Sequence, residues 1–236
     1  ESALPTVAEL LKSSDEALIA IAAKTLGKMG GTAQIPDLAR TMTATKNPDV
    51  REAAQEAVRA LCSKASDKAA ASRAIQEELA RATDPDARAA LLPLTMTIGG
   101  EAALARVVEA LRDPEAAVRE AAFRTLVAWP ETRASAPLIQ FAEAHPESSQ
   151  AVVALRDGCL RLAELEDAPV SERGAILREV LRVARRQEEQ RRALSLMSQV
   201  PTLDLLAFVT KLSADTKMRD DALAATIQLA RVLGAV

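Results

Sequence analysis

The chain has 236 residues, of which 50 are alanine and 30 leucine, with 2% aromatics, no tyrosine and a net charge of −3. Such a composition favours helices, because Ala, Leu, Arg and Glu are strong helix formers, whereas sheets draw on Val, Ile, Thr, Tyr and Phe. The hydrophobic fraction of 49% and charged fraction of 27% exclude wholesale disorder, and no run reaches the roughly 20 apolar residues of a membrane span.

The predicted elements come in pairs. The first second-position helix starts at Asp15, carries Ile19 with Ala22 and Ala23, and stops at Gly30-Gly31. The next opens with Asn47-Pro48-Asp49-Val50-Arg51-Glu52-Ala53-Ala54. A third, preceded by a helix holding Ile75 and Leu79, opens with Asp84-Pro85-Asp86-Ala87-Arg88-Ala89-Ala90 and ends at Gly99-Gly100. Residues 102–111 place Leu104, Val107, Val108 and Leu111 on one helical face, and Glu115-Ala116-Ala117-Val118-Arg119-Glu120-Ala121-Ala122 follows, ending at Pro130. Leu138 with Phe141 marks the fifth first helix, and Ser148 with Val152 the helix after it. The sixth pair has Ile176, Leu177, Val180, Leu181 and Ala184, then a charged turn with Arg186 at the cap position and Gln190 as anchor. The last pair is predicted over Leu203–Leu212 and residues 218–233, with Asp215 as cap and Arg219 as anchor.

Counting from the anchors Ile19, Arg51, Arg88, Arg119, Val152, Gln190 and Arg219, the intervals are 32, 37, 31, 33, 38 and 29 residues, a period of about 33 that belongs to helix-pair solenoids. Most anchors have a residue able to accept from free helix N–H groups four positions earlier: Asp15, Asn47, Asp84, Glu115, Ser148 or Asp215. Eleven positions later, Gly30, Gly99 and Pro130 break the helix. The expected units are 1–31, 32–65, 66–100, 101–131, 132–168, 169–200 and 201–236, forming one repeat domain.

The Asp/Asn-Pro-Asp-Val/Ala-Arg-x-Ala opening of the second helix resembles the HEAT repeat, in its shorter bacterial form. The resemblance implies an all-α fold: a right-handed α-α superhelix, or solenoid, of about seven antiparallel helix pairs. It also implies a structural Arg that contacts acidic residues near a neighbouring turn, a role carried by Arg51, Arg88 and Arg119 but not by Ile19 or Val152. Residues 217–225 resemble closing repeats of large bacterial multidomain proteins of exported, carbohydrate-related type. The chain opens at Glu1 without an initiator Met and ends on Leu233-Gly234-Ala235-Val236 without a polar cap, so a piece of a larger protein is expected, cytoplasmic or exported.

Isolated chemical groups read as structural. His145 has no convergent partners for base catalysis, and Cys62 and Cys159 lie on the apolar side of their helices. No His, Cys, Asp and Glu spacing suits a metal, and no cofactor is expected. Gly27-Lys28-Met29-Gly30-Gly31-Thr32 follows a helix rather than a strand and is an inter-repeat turn, not a phosphate loop. Arg173, Arg178, Arg182, Arg185, Arg186, Arg191 and Arg192 form a local basic excess without aromatics, read as a solvated face or a site for an acidic protein.

Four and eight positions after the anchors stand Leu92 and Met96, then Phe123 and Val127, with Arg124 and Trp129 beside them. Facing inward they are core; on the groove side they form an apolar patch of the residue types that anchor interfaces. Pro93 is expected to kink its helix. The expected function is a non-catalytic scaffold or adaptor binding a protein or peptide on the concave second-helix face, or spacing domains in a larger polypeptide. The alternative is a HEAT-like DNA glycosylase or another nucleic-acid-binding solenoid, against which the negative charge and scarce aromatics argue.

Overall fold

Asp15, Asn47, Asp84 and Ser148 begin helices as the spacing predicts. Their side-chain oxygens accept from Ala17 N at 2.9 Å, Asp49 N at 2.9 Å, Ala87 N at 2.9 Å and Ala151 N at 3.0 Å. Each cap satisfies N–H groups that have no partner inside the helix. The computed structural model describes residues 3–214 and 217–234, so the expected cap Asp215 lies outside the described residues.

Among the described residues the regular structure is entirely helical. The helices are α1 Leu4–Glu9, α2 Glu16–Met29, α3 Ile35–Ala44, α4 Pro48–Lys64, α5 Lys68–Arg81, α6 Pro85–Ile98, α7 Glu101–Ala110 and α8 Ala116–Val127. They continue with α9 Ser135–Ala144, then α10, which runs without a break through Ser149–Val153, Ala154–Leu160 and Arg161–Ala163. The last four are α11 Val170–Val183, α12 Gln187–Met197, α13 Leu203–Leu212 and α14 Arg219–Gly234. Two compact units result, one through Thr125 and one from Leu126 on.

Both units use the same layering. In the first, α2 packs on α4 and α4 on α6, while α3 packs on α5. In the second, α12 packs on α10 and on α14, and α9 packs on α11. Leu26, Ile35, Leu38, Met42, Leu61, Ile75, Leu91 and Leu94 lie buried between the layers of the first unit.

Alanine fills the places where second helices meet. Ala22, Ala23, Ala53 and Ala54 are all buried, and the tightest approach falls one turn further on. A Cβ on Gly27 would stand 2.8 Å from the Ala57 Cα, so only glycine lets these two backbones meet. Gly99 and Gly100 take φ of 71° and 87°, a region that disfavours side chains, and turn the chain between α6 and α7.

Two local features depart from plain repeats. Pro93 sits inside α6, which continues as a helix through it, and the Gln55 amide donates to the Ala90 carbonyl at 2.8 Å. The middle of α10, Ala154–Leu160, is a π-helix. There Gly158 faces Leu138, whose Cδ1 would lie 2.7 Å from an added Cβ.

Candidate interaction surface

The anchor residues first show what is structural. Arg51 donates to the Thr45 carbonyl at 2.7 Å and faces Asp84, the cap of α6, at 3.8 Å. Arg88 pairs with the Asp113 carboxylate, and Arg119 donates to the Asp113 and Pro114 carbonyls at 2.7 Å each. Gln190, the weaker anchor, donates to the Ala184 carbonyl at 3.0 Å. Arg51, Arg119 and Gln190 thus each reach back six residues and satisfy a carbonyl at the turn that the preceding helix leaves open. Where α10 has Val152 as anchor, Arg161 instead closes the end of α8, donating to the Val127 and Trp129 carbonyls at 2.9 and 2.6 Å.

The column four and eight positions after each anchor does not line a groove. In α2 it holds Ala23 and Gly27, and Gly27 faces Ala57 of α4. In α4 it holds Gln55, whose amide reaches Ala90 of α6. Gly27 and Gln55 therefore point at the following second helix, whereas Arg59 and Met96, eight positions after their anchors, are exposed and half-buried. Leu92 is 0% exposed, Phe123 4% and Trp129 0%, so these three residues are interior and offer no surface to a partner. Their assignment to an apolar groove patch is corrected accordingly. Leu92 borders a hollow of about 640 Å³ that is also lined by α5, α7 and Val118 of α8. Met96 and Val127 are half-buried, and Arg124 is exposed beside Glu120 at 3.7 Å.

The open face of the first unit's second helices lies one position further round. On α4 it carries exposed Glu52, Glu56 and Arg59, and on α8 exposed Glu120 and Arg124. Between them α6 presents half-buried Ala89, Pro93, Met96 and Thr97, without a charge. Sequence reasoning found Met96 and Arg124 but passed over Ala89 and Thr97. For Ala89 the signal was a neutral residue where the neighbouring repeats carry Glu52 and Glu120; Thr97, which stands where they carry Ala60 and Ala128, had none.

Other candidates resolve into structure. Arg182 lies between Glu143 at 2.7 Å and Glu179 at 2.8 Å. Hydrogen bonding to Glu143 and then Glu179 raises its pKa, and the same contact holds the Glu143 carboxyl below the usual carboxylate range. Arg191 pairs with Asp221 and Arg192 with Glu164, so much of the local basic excess is neutralised within the fold. His145 is exposed and its Nδ1–H donates to the Phe141 carbonyl, 2.9 Å away, closing α9. Burial pushes the Cys62 thiol up to about 11 and the Cys159 thiol up to about 12, which keeps both protonated and unreactive. Among the described residues no group of three or more His, Cys, Asp or Glu is placed to hold a metal ion, and no helix is long and apolar enough to cross a membrane.

Residues 1–59 match the family described as HEAT repeats. No curated protein matches the sequence. Among solved structures, the HEAT-repeat protein Kap121p, solved bound to Ste12p, is similar at 13% identity with a TM-score of 0.51, over 98% of this chain and 26% of that one. The chain thus spans about a quarter of the Kap121p length, and the likeness concerns the fold. Two engineered proteins also align over 98% of this chain, at 15% and 16% identity with TM-scores of 0.34 and 0.42, covering 98% and 69% of their own lengths.

Proposed function

We propose that this chain, whose residues 1–59 match HEAT repeats, is a non-catalytic scaffold of seven helix-pair units that binds an extended protein segment across the open face of α4, α6 and α8. One observation carries the reading: the charged open face breaks at α6, where Ala89, Pro93, Met96 and Thr97 form a neutral strip between Glu52, Glu56 and Arg59 on one side and Glu120 and Arg124 on the other. A partner segment would set apolar side chains on that strip and polar ones on its charged borders, the anatomy of a protein interface. Kap121p bound to Ste12p is consistent with such use of the fold. The buried Trp129 does not favour the glycosylase alternative, since a fully enclosed indole cannot stack on an extruded base.

The test is site-specific photo-crosslinking in lysate of the source cells, with the reactive amino acid placed at Thr97 or, as control, at the exposed Arg106 of α7. Discrete adducts at position 97 and none at 106 are expected. Equal labelling at both positions, or none at either, would reject the α6 strip as the binding surface.

A further inference from the structure

On the open face of the first unit's second helices, positions one, five and nine after the anchor change character from helix to helix. They are Ala20, Lys24 and Lys28 on α2, Glu52, Glu56 and Ala60 on α4, and Ala89, Pro93 and Thr97 on α6. Because α2 packs on α4 and α4 on α6, the face runs from basic through acidic to neutral. Two contacts bring the three kinds to one level. Gly27, beside Lys28, faces Ala57, beside Glu56. Gln55, on the other side of Glu56, donates to the carbonyl of Ala90, beside Ala89. Lys28, Glu56 and Ala89 therefore stand on one line across the helices, and Arg59 lies nearly a turn further along α4.

These charges are unlike most others on the chain. Lys12, Arg40, Arg106 and Arg182 lie 2.9, 3.1, 2.9 and 2.7 Å from carboxylates. Among the described residues, the side chains of Lys24, Lys28, Glu52 and Glu56 are all exposed and have no hydrogen-bond or ion-pair partner. Lys24 with Lys28, and Glu52 with Glu56, are also like charges at i and i+4, which repel along a helix. On α8, by contrast, Arg124 has Glu120 at 3.7 Å.

We infer that the protein segment bound at the α6 strip carries its side chains in a fixed order: apolar on α6, basic over Glu52 and Glu56, acidic over Lys24 and Lys28. This rests on the α6 strip being the binding surface and names the chemistry of what binds there. Complementary charge relieves both repelling pairs and sets the register of the segment. Packed helices stand roughly 8–10 Å apart and an extended chain advances roughly 3.3 Å per residue, so the three groups are spaced by about three residues. A nucleic acid does not fit the same line, because its phosphates meet the glutamates.

The experiment adds a diazirine amino acid at Ala89 to the crosslinking at Thr97, in lysate of the source cells, and sequences the captured segment by mass spectrometry. Unchanged helical circular dichroism and Trp129 emission verify folding. The expected segment has Lys or Arg about three residues from the captured residue and Asp or Glu about six away on the same side. That segment is then made as a fluorescent peptide and titrated by anisotropy. Glu52→Lys with Glu56→Lys should weaken it about tenfold or more, and reversing the peptide's basic residues to Glu should restore binding to this variant. Glu147→Lys with Glu166→Lys, the same net change at exposed turn positions, should leave it unaltered. A captured segment without this order, adducts at Thr97 but none at Ala89, or binding indifferent to the reversal overturns the inference and leaves the α6 strip as the surface. No adduct at either position removes the strip itself, and this inference with it.

Discussion

Replacing Gly27 by alanine tests the stacking geometry most directly. On an open helix the change would stabilise by about 1 kcal/mol, because glycine has the greater freedom to lose. Here the added Cβ would stand 2.8 Å from the Ala57 Cα and 2.9 Å from its Cβ, and a backbone atom cannot swing aside as a side-chain end does. Helices α2 and α4 must separate, opening the contacts of Ala23 and Ala54 as well. Overpacking of this kind costs about 1–3 kcal/mol, so the net effect is a loss of about 1 kcal/mol. Guanidinium unfolding should show a lower midpoint with an unchanged slope. Gly31→Ala is the control, since a Cβ there meets nothing within 4 Å. Adding Ala57→Gly should recover part of the loss but not all of it, because the Ala57 Cα remains in the way. A Gly27→Ala chain as stable as the parent would refute the close approach.

Asp84→Ala removes a helix cap and the acidic neighbour of Arg51, and should cost about 1 kcal/mol in thermal or chemical unfolding. Arg88→Met leaves the Asp113 carboxylate, whose side chain is 12% exposed, without its cation and should cost about 2 kcal/mol in the same assay. Trp129 is the only tryptophan and is 0% exposed, so acrylamide should quench its fluorescence only after unfolding; ready quenching in the native chain would contradict the interior placement. Burial holds the folded thiols of Cys62 and Cys159 at about 11 and about 12, against an ordinary 9.0. The unfolded chain therefore loses these protons first as pH rises. Their contribution to stability is whole below pH 9.0 and falls progressively towards pH 11 to 12, and a Cys62→Ala, Cys159→Ala variant should show a flatter decline over that window.

The helix pairs were legible because the signals that make them are local. Asp15, Asn47, Asp84 and Ser148 cap helices through N–H groups two or three residues away. Gly99 and Gly100 turn the chain through their own φ angles. The Arg51 and Arg88 contacts were implied by the family resemblance, and Gln190 proved equivalent to Arg51 in bonding the carbonyl six residues back. The π-helical middle of α10 was not foreseen, although Gly158 within a helical run was its available signal. Half of the proposed surface patch was misplaced: Leu92, Phe123 and Trp129 are interior, while Met96 and Arg124 belong to the open face.

The order of residues by itself determined that the described chain is helical, where each pair begins and turns, and why alanine dominates. These depend on caps, turns and periodicity within a few residues. Tertiary structure alone decided which column of each second helix meets the next repeat. That depends on the rotation of a helix against its neighbour, set here by the absent side chain of Gly27 against Ala57. The same rotation enclosed Leu92 and left a neutral strip of Ala89 and Thr97 on α6.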